Sequence, residues 1–189
     1  MTQNILNIRS YHSCKITGGK EHVFNNAPFL SELNERQWLT QGYYFWTDSM
    51  KFAHKWGKSS VKGDYAILKC LVKIEHDLLL DLVGSVEDQL YFDEILHLFY
   101  QKLKEADPKA KPPTVNAVLS FYRKEAEENQ DIFPYCAIKA QDAYSESKVL
   151  FTERGGGEKL PLVTRQQLCL FEFASHCIHN KEVVHPQQF

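Results

Sequence analysis

The stretch GYYFWTDSMKFAHKWG, Gly42–Gly57, decides how the rest of this chain is interpreted. Four consecutive aromatic residues follow Gly42, although aromatic residues make up only 13% of the sequence. A short helix is then predicted to begin near Asp48. The rings either fill a core between a strand and this helix or form a platform on which a flat ligand stacks. Within the stretch, we expect Trp46, Phe52 and Trp56 to be core residues.

Length and composition are those of one globular domain. A chain of 189 residues that is 43% hydrophobic has enough material for one sizeable core and too little for two full domains. We therefore expect a single domain over residues 1–189. The formal net charge of -2 provides no overall field that attracts nucleic acid, and this slightly acidic balance disfavours tight binding to it.

The chain is expected in the cytoplasm, without contact to a membrane. Its beginning lacks the basic and apolar regions of a signal peptide, and no segment approaches the roughly 20 apolar residues of a membrane span. Cys70, Cys136 and Cys169 lie within apolar runs, where a thiol commonly behaves as a small hydrophobic group. An odd number of cysteines, five, fits a reducing compartment better than a disulfide framework.

Strands are predicted towards both ends of the chain and helices in its middle. The predicted strands are ILNIRSYHS (5–13), DYAILKCLVKI (64–74), YCAIK (135–139), KVLFT (148–152) and QLCLFEF (167–173). Apolar residues recur at helical spacing over 86–103, where Ser85 is placed to cap the helix, and over 115–126. A further helix is predicted in APFLSELNERQWL (27–39). Strands and helices in this irregular order predict an α+β fold.

Three short motifs occur in a characteristic order along these elements. Tyr11 and His12 lie on the first predicted strand, and Gln167 begins the last one, just before Leu168, Cys169 and Leu170. The block between them contributes Gly42, Tyr44, Phe45 and Ala53. This order resembles the ADP-ribosyltransferase superfamily in its His-Tyr-Glu branch, which includes PARP-like and diphtheria-toxin-like enzymes. The resemblance implies a split β-sheet with a cleft between its halves. The helical segment over about 85–130 is absent from the minimal motif order, and we expect this insertion to cover one side of the cleft or to carry the partner surface.

The resemblance also implies a co-substrate and roles for particular residues. NAD⁺ would bind in the cleft, with Tyr44 stacked on the nicotinamide ring. His12 would hydrogen-bond a ribose hydroxyl on the adenosine side, and the backbone near Ser13 would hold the nicotinamide amide. Gly42 and Ala53 belong to the same NAD⁺-binding motifs. Gln167 stands where the family has Glu, facing the nicotinamide ribose with an amide in place of a carboxylate.

A glycine-rich segment offers a second source of catalytic groups. Glu153 and Glu158 flank the glycine run of the segment ERGGGEK, and either one would supply the missing carboxylate. Arg154 would hold a phosphate of NAD⁺ or of nucleic acid. The alternative is a solvated hairpin without a role in catalysis.

The function implied by the resemblance is mono-ADP-ribosylation of a macromolecule, which is protein, RNA or DNA. Small members from bacteria and phages are often toxins of toxin-antitoxin or phage-defence systems, which would imply an antitoxin partner. Two alternatives remain open: a catalytically weak module that binds NAD⁺ or ADP-ribose, which Gln167 favours, and an unrelated α+β nuclease in which His12 and the acidic loop residues do acid-base work. No metal site is predicted, because the C-terminal histidines lack a typical ligand spacing.

Overall fold

The computed structural model describes residues 4–34, 37–61, 63–142, 147–148, 160–161 and 164–186. The strands are β1 (Ile5–Lys15), β2 (Tyr43–Thr47), β3 (Tyr65–Glu75), β4 (Leu79–Asp81), β5 (Ala137–Gln141), β6 (Ser147–Lys148), β7 (Leu160–Pro161), β8 (Gln166–Leu170) and β9 (Ile178–His185). The α-helices are α1 (Gly19–Asn26), α2 (Met50–Ser60), α3 (Val86–Ala106) and α4 (Val115–Glu128). Single 3-10 turns precede β4 and follow α4, and a longer 3-10 segment, Glu172–Cys177, follows β8.

Seven strands form one mixed sheet in the order β4-β5-β8-β2-β1-β3-β9. Strands β4 and β5 are parallel, and the other neighbours in this sheet are antiparallel. The short strands β6 and β7 pair with each other. The fold is therefore α+β, as the sequence predicts. The order also puts β1, β2 and β8, which carry the three motifs, side by side in the middle of the sheet.

Four of the predicted strands occur as β1, β3, β5 and β8. The aromatic run that follows Gly42 forms β2. The last predicted strand is shorter than expected, because the chain leaves the sheet after Leu170 and begins the 3-10 segment at Glu172. Most of the predicted strand KVLFT lies outside the described residues, which include only its first residue, in β6.

The helix predicted over residues 27–39 is wrong, and the helix in this region is α1, directly before it. Pro28 favours an extended conformation in the preceding residue, and Ala27 is extended with ψ 152°. The segment after Pro28 forms hydrogen bonds with Gly42 instead. The Ser31 amide donates to the Gly42 carbonyl at 3.0 Å, and the Gly42 amide donates to Ser31 Oγ at 3.1 Å. These bonds replace those that a helix would have formed.

The two central helices are confirmed as α3 and α4. Ser85 caps α3, since its hydroxyl accepts the Asp88 amide at 3.1 Å. Both helices pack through apolar side chains on one core cluster, which includes Phe92, Ile95 and Leu119 together with Leu39 and Phe171. They therefore lie against the β5 and β8 side of the sheet.

Candidate ligand-binding cleft

The sheet opens between β1 and β2. In the described part of both strands, they are registered at two pairs, Ser10 with Thr47 and Tyr11 with Trp46. Beyond Tyr11, β1 continues to pair with β3 as far as Lys15. From this point the His12 side chain, and not the backbone, links β1 to β2: His12 Nδ1 lies 2.9 Å from the Tyr44 carbonyl oxygen.

A cleft of about 710 Å³ lies at this opening. Its lining residues include His12, Ser13, Cys14 and Lys15 from β1, Tyr44, Phe45 and Trp46 from β2, Gln167 from β8, and Trp38, Trp56, Asp142 and Arg165. The structure thus brings the key residues of the three sequence motifs to one cleft. No residue of α3 or α4 lines it, so these helices do not cover the cleft in the described structure.

His12 is held inside the protein by both ring nitrogens. Its Nε2 accepts the Phe29 amide hydrogen at 3.2 Å, which leaves Nδ1 to donate to the Tyr44 carbonyl. The side chain is 7% exposed, and burial lowers its pKa to about 4. His12 is therefore neutral at pH 7. Contact between Nε2 and a ribose hydroxyl, the role that the resemblance gives it, requires the Phe29 amide to move away.

Tyr44 combines the two roles that the opening stretch suggests for its rings. It lines the cleft, and it also packs against the core cluster that contains Leu39. Its hydroxyl accepts the Leu39 amide hydrogen at 3.2 Å and donates to the Thr40 carbonyl at 2.7 Å. Burial raises the pKa of this hydroxyl well above its usual value. The hydroxyl therefore belongs to the scaffold, and only the ring is available to a ligand.

The neighbouring aromatic residues divide between core and cleft. Trp46 and Phe52 are buried, as expected. Trp56 is not a core residue: 38% of it is exposed, and it lines the cleft. It lies next to the buried Gly57, where Tyr65 approaches so closely that an added Cβ would lie 2.3 Å from its ring.

Gln167 lies in the centre of the sheet and points into the cleft with its amide already bonded. It is registered with Trp46 of β2 and Ala140 of β5. Its Oε1 accepts the indole hydrogen of Trp38 at 3.0 Å. The indole fixes the orientation of the amide, so that Gln167 presents a defined polar group without a formal charge.

Gly42 and Ala53 have structural positions rather than places in the cleft lining. A Cβ on Gly42 would lie 2.6 Å from Cys169 Sγ and 2.7 Å from the Leu170 carbonyl oxygen, so the close approach of the chain to β8 requires glycine. Ala53 is fully buried in α2, and its carbonyl accepts the Ser13 hydroxyl at 2.7 Å. The predicted contacts of Gly42 and Ala53 with NAD⁺ thus have no counterpart in the cleft lining. Ser13 itself does line the cleft.

Three site residues were not predicted from the sequence. Arg165 and Asp142 line the cleft and form an ion pair, with 2.7 Å between Arg165 Nη2 and Asp142 Oδ2. The Arg165 guanidinium lies 5.2 Å from the centre of the Trp46 ring. A signal for Arg165 is its position two residues before Gln167, the spacing at which residues of a strand share a face, although Arg165 itself precedes β8. No comparable signal identifies Trp38, which lies in the segment predicted as a helix.

The turn Gln37–Gln41 carries Trp38 to the cleft, and α4 holds this turn from the other side. Arg123 Nη1 donates to Thr40 Oγ1 at 3.1 Å and to the Gln41 carbonyl at 2.9 Å. Its Nη2 lies 2.6 Å from Glu172 Oε2. The side chain of Asn116 also bonds the Gln37 carbonyl.

Glu153, Arg154 and Glu158 lie outside the described residues. Their predicted catalytic and phosphate-binding roles therefore stay predictions.

Comparisons with known proteins supply no further assignment. A scan against protein-family models, a search of curated proteins and a search of solved structures each found no match to this chain. In the described ranges, no helix has the length and apolar character needed to cross a membrane. The same ranges contain no group of three or more His, Cys, Asp and Glu side chains placed to share a metal ion.

Proposed function

We propose that the cleft binds NAD⁺ and that the chain transfers ADP-ribose from NAD⁺ to a macromolecular acceptor. The observation that carries the proposal is the convergence of His12, Tyr44 and Gln167, from three adjacent strands, at one cleft beside the opening of the sheet. These residues lie far apart in the sequence, and each belongs to a different one of the three motifs. The volume of about 710 Å³ is in the range of small-molecule and cofactor sites.

The chemistry proposed here requires positioning more than acid-base catalysis. The bond between nicotinamide and the ribose C1′ breaks, and nicotinamide leaves as a neutral ring with the bonding electrons. Positive charge develops on the ribose, as in glycoside hydrolysis. A nucleophile of the acceptor then bonds to C1′ and loses its proton to solvent.

Each cleft residue has a role in this scheme that its contacts support. The Tyr44 ring, fixed by its bonded hydroxyl, offers a face to the nicotinamide ring. The Gln167 amide, fixed by Trp38, offers hydrogen bonds to the nicotinamide ribose. His12 is a positioning residue, since it links β1 to β2 across the opening.

A second candidate is a module that binds NAD⁺ or ADP-ribose without cleaving it. The observation that favours it is that the third motif offers Gln167, an amide already engaged with Trp38, where the family has a carboxylate. The nuclease reading is disfavoured by His12, because both its nitrogens are bonded within the protein and its pKa is about 4. A role as a small bacterial toxin with an antitoxin partner applies only if the chain is a transferase, as in the first proposal.

Incubation with NAD⁺ labelled in its adenylate phosphate, together with a cell lysate, separates the candidates. A transferase puts label into protein or nucleic acid, and a hydrolase releases nicotinamide alone. A binding module does neither, but gives heat on titration with NAD⁺ in a calorimeter. A chain that neither binds nor cleaves NAD⁺ would overturn both proposals.

A further inference from the structure

Helix α2 carries a stripe of positive charge. Lys51, Lys55 and Lys58 are exposed and are spaced so that they fall along one side of the helix. The stripe extends about 10 Å along the helix axis. There is no acidic residue in α2 to offset it.

Two of the three lysines of this stripe, Lys51 and Lys58, keep an unpaired charge among the described residues. Within the part of the chain that the structure describes, Lys51 and Lys58 form no ion pair with an acidic side chain. By contrast, α3 and α4 together contain eight acidic and four basic residues. The net charge of -2 thus averages over a basic α2 and acidic helices α3 and α4, and it does not describe the surface beside the cleft.

The stripe continues into the mouth of the cleft. Lys51 Nζ lies 5.9 Å from the centre of the Phe52 ring, and the Arg165 guanidinium lies 5.8 Å from the centre of the same ring. Arg165 and Trp46 line the cleft, as does Lys15, an exposed residue at the end of β1. Lys15 thus adds a positive group at the cleft beyond α2, whereas the charge of Arg165 is balanced by its ion pair with Asp142.

An exposed indole accompanies these cations. Trp56 lies on α2, is 38% exposed and lines the cleft. Aromatic side chains beside a basic groove are the combination by which proteins bind single-stranded nucleic acid, because each base stacks on a ring while lysines contact the phosphates. Paired bases are already stacked on one another, so a duplex gains nothing from Trp56.

We infer that the acceptor is single-stranded nucleic acid, bound along α2 with a base on Trp56 at the mouth of the cleft. This inference rests on the proposed function for the transfer itself. A nucleophilic nitrogen or hydroxyl of the strand bonds to C1′ of the ribose, nicotinamide leaves with the electrons of the broken bond, and the proton of the nucleophile goes to solvent.

Binding is tested by fluorescence anisotropy with a labelled single-stranded 12-nucleotide DNA and the matching RNA, over a range of salt concentrations. For single strands, log K falls with log salt by about 0.7 for each phosphate contacted. The double variant Lys51→Gln/Lys58→Gln is therefore expected to lower this slope by about 1.4, and Trp56→Ala to weaken binding about tenfold. The matched control, Lys102→Gln/Lys111→Gln, is expected to keep the slope of the wild type. Circular dichroism checks that each variant is folded.

Transfer is tested with labelled NAD⁺, offering the oligonucleotide and lysate protein together. Label on the oligonucleotide, reduced in the α2 variant and not in the control, is the expected result. Oligonucleotide affinity and salt slope that are equal in the wild type and the α2 variant would overturn the inference, as would label in protein alone. In the latter case the proposed function stands. If NAD⁺ is neither bound nor cleaved, the proposed function fails, and the anisotropy result still decides whether α2 binds nucleic acid.

Discussion

His12 makes the stability of the protein depend on pH. Its folded pKa of about 4 lies below the ordinary value of 6.5, because burial disfavours the imidazolium. The unfolded chain therefore binds the proton more readily between these two values. Its contribution to stability is fully present above about pH 6.5 and is lost as the pH falls through 4.

We predict that protonation of His12 lowers the free energy of unfolding by about 2 kcal/mol when the pH is lowered from 7 to 5. His12→Gln removes the titration while keeping a donor for the Tyr44 carbonyl and an acceptor for the Phe29 amide. Urea unfolding of both proteins at the two pH values measures the difference. If the variant loses as much stability as the wild type on acidification, His12 is not the group responsible.

The Tyr44 hydroxyl supports the backbone of the turn that carries Trp38. Tyr44→Phe leaves the Leu39 amide and the Thr40 carbonyl without their partner. Leu39 and Thr40 are both buried, so water cannot readily replace the hydroxyl. We predict a loss of roughly 1–3 kcal/mol in unfolding free energy.

Tyr43→Phe is the matched control, because Tyr43 is adjacent and no hydrogen bond from its hydroxyl occurs among the described residues. The expected change in its unfolding free energy, measured by chemical denaturation, is close to zero. Equal losses in the two variants would mean that the bonds to Leu39 and Thr40 do not stabilise the fold.

Among the elements, α4 acts on the cleft indirectly. Arg123 joins this helix to the turn Gln37–Gln41 and to the 3-10 segment after β8. Arg123→Met removes these bonds while keeping a side chain that packs on Phe171. We predict a loss of roughly 2 kcal/mol in unfolding free energy and faster amide hydrogen exchange in the turn.

Lys124→Met provides the control, since Lys124 is exposed on the same helix and bonds nothing in the described turn. Hydrogen exchange followed by mass spectrometry compares the peptides that cover residues 37–42. Unchanged exchange in the Arg123 variant would show that α4 does not hold this turn.

The elements that could be predicted are those whose own sequence carries a clear apolar pattern. The helix α3 follows its own periodicity and its cap at Ser85, and β3 is a largely apolar run that pairs with β1 along one edge and with β9 along the other. The elements that were not predicted correctly owe their conformation to segments that are distant in the sequence. Strand β9, IHNKEVVH, has few apolar residues and forms by pairing with β3 at the sheet edge. The segment after Pro28 appears helical by propensity, but it bonds to Gly42 instead.

At the scale of the molecule, the sequence order of three motifs predicted which side chains meet, but not how each is bonded. The sheet order brings His12, Tyr44 and Gln167 together. Nothing in the sequence indicates that the Phe29 amide donates to His12 and that the Trp38 indole donates to Gln167, because both donors lie in an irregular segment. The division between a basic α2 and the acidic helices α3 and α4 is likewise invisible in the net charge of the whole chain, and the fold adds that α2 lies beside the cleft.

The most direct test of the central claim is the rate of nicotinamide release from NAD⁺ by the wild type and by Gln167→Ala. If the Gln167 amide contacts the ribose as charge develops, the variant should lose about 10²-fold in rate and much less in NAD⁺ affinity. Gln166→Ala is the control, since that neighbouring amide bonds Thr47 and Thr164 instead of facing the cleft. Gln167→Glu should release nicotinamide faster than the wild type, because a carboxylate stabilises the developing cation better. No release by the wild type, or equal rates in all four proteins, would contradict the account.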